Sequence, residues 1–354
     1  MACSLPAGLR TKAVACAALI TAALLASVPV HAQDANRYIL ATRRSGAIEI
    51  IDPESLATLS RIHFDLPAKS VGLNGISASA DGTALYVEGP MPNMPNGCCV
   101  LYSIDLATLQ TRQVAGIGGT PSRARFVTSD GVTYQVAPRS GGETHATSGA
   151  VDLYDAERSK VLHYSMPIGL DNAAWHNGIR VDDQFVFYAA KHDGSDARLW
   201  SVSLNATDLG EGVSVKPFAK VPACSSYLET GLAGAANNLF LYEMFGWIGD
   251  RRDQCNGVPG GAWIVDPSSG SLLAHIAPNL YFHELVANRD AGELYGISVS
   301  DPNWRSGVEL VRIDAQDGSI LRSRVLEADF WSISFWSLRS IPAGDVRALI
   351  SAKK

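Results

Sequence analysis

No stretch after Val28 approaches the roughly 18 uninterrupted apolar residues needed to cross a bilayer as a helix. Other signatures are missing too: there is no Gly-x-Ser-x-Gly elbow, no phosphate-binding Walker loop, no Gly-x-Gly-x-x-Gly after a strand, and no Cys-x-x-Cys-His haem site. These absences argue against serine-esterase chemistry, phosphoryl transfer, nucleotide-cofactor redox and covalent haem. Basic charge is also scarce. With Arg10 and Lys12 set aside, 27 Lys and Arg face 35 Asp and Glu, a balance of −8 that argues against nucleic acid and anionic membranes as partners.

The N-terminus reads as an export signal. Arg10 and Lys12 give a basic start, Ala13 to Val28 is apolar, and Val30-His31-Ala32 offers a cleavage site. Residues 1–32 are therefore expected to be a signal peptide and 33–354 a single folded domain, with the product periplasmic or secreted. Cysteine is sparse. Setting aside Cys3 and Cys16 in the signal leaves Cys98, Cys99, Cys224 and Cys255. A Cys224–Cys255 bridge would pin the long insertion between them, as suits an oxidising compartment. Adjacent Cys98 and Cys99 leave three states open: a vicinal ring, two free thiols, or separate long-range bridges. All four together lack the spacing of a zinc site.

What is present is a repeated phrase: an apolar strand ends in Asp, a turn follows, and a second strand leaves. It occurs as Ile50-Ile51-Asp52-Pro53, Ser103-Ile104-Asp105-Leu106, Leu153-Tyr154-Asp155-Ala156, Ile264-Val265-Asp266-Pro267 and Arg312-Ile313-Asp314-Ala315. Where no insertion intervenes the period is about 50 residues, that of one four-stranded propeller blade. The expected fold is all-β, a single β-propeller of antiparallel four-stranded blades. Six blades are favoured, and a strand at Val346 to Ser351 would make seven. The first blade, Arg37–Thr42 onward, lacks its own innermost strand, and Ser332–Leu338 is expected to supply it, closing the ring and removing exposed sheet edges. The repeated aspartates are expected to cap turn N–H groups at the rim.

Two B-to-C connections, Gly89–Gly97 and Phe245–Gly261, read as long insertions on one face of the disc. The second carries Trp247, Arg251, Arg252, Asp253 and Cys255.

In a propeller the innermost strands line the axis, so residues at their starts form a ring reachable from several blades. Counting from the Asp phrase puts Asn74, Arg123, Asn177, Thr230, His283 and Ser332 there. Leu73, Ser122, His176, Glu229, Phe282 and Trp331 stand one place earlier. Of these, Asn74, Arg123, His176, Thr230 and Trp331 are candidate ligand-binding residues, and His283 and Glu284 are candidate proton-moving groups. A water-filled tunnel is the competing expectation. His63, His145, His163, His192 and His275 have no metal-like spacing and read as surface or satisfied histidines. Trp175 and Trp336 are expected to pack between blades rather than stack on a ligand.

The stretch His176-Asn177-Gly178-Ile179-Arg180, with Leu199-Trp200-Ser201-Val202 after it, resembles a blade of the regucalcin/gluconolactonase group, and Leu73-Asn74-Gly75-Ile76 is similar. That resemblance implies a six-bladed lactonase with an axial calcium or zinc ion. Asn177 matches the Asn ligand and Glu229 is a tentative second. The group's Gly-Glu-Gly-Pro-like start is missing, and Thr230-Gly231 stands where it has Asp-Gly. The Asp phrase itself resembles YVTN and YncE-type propellers. Arg37-Tyr38-Ile39-Leu40-Ala41 with Ile50-Ile51-Asp52 also resembles the propeller subunit of quinoprotein amine dehydrogenases, which implies a scaffold that docks a small cofactor-bearing subunit. The functions carried forward are an exported propeller binding a small molecule or protein subunit, a metal-assisted lactonase, and an oxidoreductase scaffold.

Overall fold

A computed structural model gives the fold of the unit that runs from Arg37 to Lys354. It describes the strands and tight connections lying between Arg37 and Ser337; residues 1–36, 338–354 and several intervening loops lie outside the described residues. Among the described residues every element is a strand, and no helix is long and apolar enough to cross a membrane.

The strands form six four-stranded antiparallel sheets. The first holds β1 (Arg37–Arg43), β2 (Ala47–Ile51) and β3 (Thr58–His63). The second holds β4 (Gly75–Ala78), β5 (Ala84–Met91), β6 (Met94–Asp105) and β7 (Thr111–Gln113). In the third are β8 (Arg125–Ser129), β9 (Val132–Pro138), β10 (Ala150–Asp155) and β11 (Lys160–Ser165), and in the fourth β12 (Gly178–Val181), β13 (Gln184–Ala189), β14 (Arg198–Ser203) and β15 (Val213–Ser214). The fifth comprises β16 (Glu229–Ala235), β17 (Asn238–Met244), β18 (Ala262–Val265) and β19 (Leu272–Ile276). The sixth comprises β20 (Tyr281–Asn288), β21 (Glu293–Val299), β22 (Glu309–Asp314) and β23 (Ile320–Val325).

The last strand, β24 (Phe330–Ser337), does not begin a new sheet but pairs with β1, from Arg37 opposite Ser337 to Thr42 opposite Ser332. The first sheet therefore takes its innermost strand from the far end of the chain, as expected from Ser332–Leu338. The inner strands β24, β4, β8, β12, β16 and β20 neighbour one another in that order, and β20 returns to β24. Among the described residues this closes a ring of six blades. Val346–Ser351, the candidate seventh-blade strand, lies outside the described residues.

In the first blade the strands β1 and β2 are buried on both faces, which is why they read as nearly continuous apolar runs. The period-2 alternation of a strand then decides which neighbour a side chain meets. In the first blade Leu40, Ile48, Ile50 and Ile62 pack on Ile76, Leu85, Val87, Tyr102 and Ile104 of the second. Their alternates Ile39, Ala41 and Ile51 pack on Tyr295, Ile297, Val299 and Leu310 of the sixth. Each such fully buried aliphatic side chain is worth about 1.5–3 kcal/mol.

The Asp phrase is a hairpin between the third and fourth strands of a blade. Asp52, Asp105, Asp266 and Asp314 each accept at the carbonyl from the N–H four residues on, at Leu56, Leu109, Gly270 and Gly318. That fourth residue has positive φ in every case. Glycine enters this conformation freely, whereas leucine is strained there. Leu56 is nonetheless fully buried, so its packing against the sixth blade offsets the strain. The carboxylates cap the turns as expected: Asp52 accepts from Ser55 N–H and Oγ, Asp105 from Thr108 N–H and Oγ1, and Asp266 from Ser268 N–H and Oγ. The turn after Asp155 lies outside the described residues.

At Asp105 and Asp266 these hydrogen bonds favour the charged carboxylate. The Ser268 hydroxyl and N–H hold Asp266 down to about 2, while Asp105 is lowered by Thr108 and Asp317 by Ser319. Each group thus has a lower pKa folded than unfolded, so its contribution is fully present above about pH 4 and is lost as pH falls through the folded value. Stability should decline progressively from about pH 4 toward pH 2, and Ser268→Ala with Thr108→Ala should flatten that decline. Urea denaturation at stepped pH measures it; an unchanged slope in the double variant would contradict the assignment.

Candidate functional site

Every inner strand is the first strand of its sheet, except β24, which takes that place in the blade of β1. The repeated topology sends all six past the axis in one direction, so their N-terminal ends gather at one mouth of the tunnel. Glu229 and Thr230 open β16, His283 and Glu284 are the third and fourth residues of β20, and Trp331 is the second of β24. β20 lies between the other two and neighbours both. Asn74 and Asn177 stand directly before β4 and β12 in the chain, and Arg123 two residues before β8; with His176, all lie outside the described residues.

The sequence spacing misses a break of register in β20. Phe282 pairs with Ser298 but Glu284 pairs with Ile297, so His283 is an extra residue, a β-bulge in an inner strand. Bulges re-aim side chains and recur next to functional sites. Here the bulge places two successive buried residues, Phe282 and His283, ahead of the half-buried Glu284. A buried imidazole beside a carboxylate has the composition of a proton-transfer pair.

What holds these strand ends is a contact between the fifth and sixth blades. Tyr242 of β17 is fully buried, and its hydroxyl accepts from the Leu285 N–H of β20 at 3.1 Å. Its ring meets Phe282 edge-on, with centroids 6.1 Å apart and planes at 80°. To get there the ring crosses Gly231 of β16, where a Cβ would stand 2.0 Å from Tyr242 Cζ. The Thr230-Gly231 step, which falls where a lactonase carries a metal-binding Asp-Gly, thus has a packing reason for its glycine.

The remaining sequence candidates divide. His275 is a satisfied rim histidine: its ring stacks on Trp263 with centroids 4.1 Å apart, and Nε2, facing the Gly260 carbonyl at 2.7 Å, is the protonated nitrogen that donates to it. The Gly89–Gly97 insertion extends the β5–β6 hairpin instead of forming an open loop, with Pro90 opposite Cys98 and Met91 opposite Met94. Cys99 is the residue left over between Gly89↔Val100 and Pro90↔Cys98, a second bulge, at a proline that lacks a ladder N–H. The side chains of Cys98 and Cys99 lie outside the described residues, as do Cys224, Cys255 and most of Phe245–Gly261. Among the described residues no three His, Cys, Asp or Glu side chains gather as metal ligands would.

Sequence reasoning also missed a charged cluster between the first and sixth blades. Glu49, 1% exposed, accepts from Arg43 Nε at 2.8 Å, Arg61 Nε at 3.0 Å and Thr58 Oγ1 at 2.8 Å, with Arg324 Nη2 of β23 at 3.6 Å. Burial pushes its carboxyl up, but the Thr58 and Arg61 hydrogen bonds and the charges of Arg43 and Arg61 outweigh that and leave it lowered. Nearby, Arg312 bridges Glu54 of the first blade and Glu293 of its own at 3.0 and 2.5 Å. The signal was a single carboxylate inside Ala47–Ile51, a strand otherwise wholly apolar and buried throughout.

No protein-family model and no curated protein matches the sequence. Among solved structures, the chain is similar to TolB from Acinetobacter baumannii, with a TM-score of 0.54 at 12% identity over 94% of this chain and 74% of that one. Hydrazine synthase from Kuenenia stuttgartiensis matches with a TM-score of 0.47 at 10% identity, over 75% and 68% of the two chains. AztD from Citrobacter koseri gives 0.44 at 12% identity, over 82% of each. At this identity the likeness to TolB is one of fold, and it agrees with the ring of four-stranded sheets: the chain folds as a β-propeller.

Proposed function

We propose that this chain is an exported β-propeller that binds a small molecule or a protein partner at the tunnel mouth formed by the inner-strand starts. The observation that carries the reading is the bulge at His283. An extra residue in an inner strand costs ladder pairing, and here it falls on the buried imidazole that precedes Glu284, on the strand flanked by those carrying Glu229 and Trp331. Export rests on the basic start, apolar run and cleavage-like Val30-His31-Ala32.

A second reading, a metal-assisted hydrolase of the gluconolactonase type, draws on the Asn177-Gly178 step and on Glu229 opening the strand next to that of His283. In that case a calcium or zinc ion bound by Asn177 and Glu229 would polarise a carbonyl. The amine-dehydrogenase scaffold reading rests on sequence resemblance alone.

Thermal melting of the mature protein against sugar acids, lactones, short amines and carboxylates tests the first reading. At least one class should raise the wild-type midpoint and leave His283→Ala and Trp331→Ala unmoved. Equal shifts in wild type and variants, or none, would overturn it. Elemental analysis of protein purified without chelator tests the second: stoichiometric metal lost in Asn177→Ala and Glu229→Ala supports it, and metal-free wild type removes it. Co-purification of a small subunit would favour the scaffold.

A further inference from the structure

The described surface concentrates its apolar exposure on one strand. Of five exposed large apolar side chains, three lie on β23: Ile320 at 53%, Leu321 at 48% and Val325 at 71%. β23 is the outer strand of the sixth blade, so among the described residues one of its edges has no neighbouring strand. Such an edge is a template for another chain, and Ile320-Leu321-Arg322-Ser323-Arg324-Val325 contains no Pro; its protection is the bulge at Leu321 and the two arginines, which repel a like-charged strand but attract an acidic one.

Its two faces differ in chemistry. Arg322 pairs across the ladder with Arg312 and Arg324 with Leu310, both of which face the first blade, so the two arginines share that side. Arg324 Nη1 reaches the Leu56 carbonyl of the first blade, and exposed Arg61 stands beside it on the same Glu49. Ile320 pairs with Ile313, Ser323 with Val311 and Val325 with Glu309; Ile313 and Val311 face the fifth blade. One side of the edge therefore presents Arg322, with Arg324 beside it reaching back to Glu49, and the other presents Val325 and Ile320, on a chain whose net charge is −6.

We infer that the edge of β23 docks an extended segment of a partner protein in which acidic and apolar residues alternate, added as a fifth strand of the sixth blade. Period-2 alternation from Arg322 to Val325 sets the partner's carboxylates beside Arg322 and Arg324 and its apolar side chains beside Ser323 and Val325, and the bulge at Leu321 brings Ile320 onto the same side as Val325. A second copy of this chain is the poorer occupant in the register centred on Ser323. Antiparallel pairing of two β23 edges about Ser323 sets Arg322 against Arg324 twice, and like charges directly opposite are unfavourable. This rim surface is separate from the tunnel mouth and independent of what binds there.

The probe is a fluorescent peptide of about eight residues alternating Val and Glu, compared with its Val-Lys counterpart and with a Val-Glu peptide N-methylated at alternate residues. Fluorescence anisotropy with the mature protein should show the Val-Glu peptide binding at least about tenfold tighter than either control. Arg322→Glu, which leaves the Glu49 cluster intact, should invert the charge preference, and Val325→Lys should weaken binding while the melting midpoint stays put. Equal binding of both charge signs, insensitivity to N-methylation, or no binding would overturn the inference. So would a dimer in sedimentation that Val325→Lys dissolves, since it would make a second copy the occupant.

Discussion

Glu49→Ala should lower the unfolding free energy by about 3–5 kcal/mol, the range for removing one partner of a buried ion pair. Arg43 is nearly as buried as the carboxylate it pairs with, so without Glu49 its guanidinium keeps the desolvation and loses the compensation. Arg61 and Arg324 are more exposed and can turn to water, so the loss comes from the Arg43 pair. The site matters beyond its energy because it ties β23 of the last blade to β2 and β3 of the first. The ring is thus closed twice, by backbone pairing of β24 with β1 at the inner edge and by this charged cluster toward the rim. Equilibrium urea denaturation measures the loss. Arg43→Leu combined with Glu49→Leu should recover most of it, because a buried pair replaced by apolar groups of similar size is often neutral. A loss under about 1 kcal/mol for Glu49→Ala, or no recovery in the double variant, would contradict the account.

The architecture was legible because its signals are local. A strand end, an Asp and a turn lie within a few residues of one another, and repeating them fixes the register of blade after blade, including the empty inner place that β24 fills. What escaped the sequence depends on distant pairing. The bulge at His283 carries no turn chemistry, and only its partners Ser298 and Ile297 reveal the extra residue. Glu49 and Arg324 are far apart in the chain, so their meeting follows from ring closure. Gly231 shows a third kind of gap: beside Thr230 it reads as part of a degraded metal motif, yet its contact partner, Tyr242, explains it without a metal.

Gly231→Ala should cost about 3 kcal/mol, although the residue has neither positive φ nor a turn to serve. The new Cβ would stand 2.0 Å from Cζ and 2.4 Å from the hydroxyl of Tyr242, and a rigid, fully buried ring cannot yield by bending a flexible tip. The ring must swing, which breaks its edge contact with Phe282 and leaves the Leu285 N–H without the hydroxyl acceptor. Overpacking of a dense core costs about 1–3 kcal/mol, and losing the acceptor of a buried N–H adds a similar amount. Tyr242→Leu in the same chain removes the obstacle, so the two changes together should destabilise less than their sum by about 1 kcal/mol or more. Additive effects in that double-mutant cycle would show that the ring and the glycine are not in contact. The same swing displaces β16 against β20, the strands that carry Glu229, Thr230, His283 and Glu284. If the tunnel mouth is the binding site, Gly231→Ala protein that is still folded should bind its ligand more weakly without any change to a ligand-contacting side chain, whereas binding at the β23 edge should be unaffected.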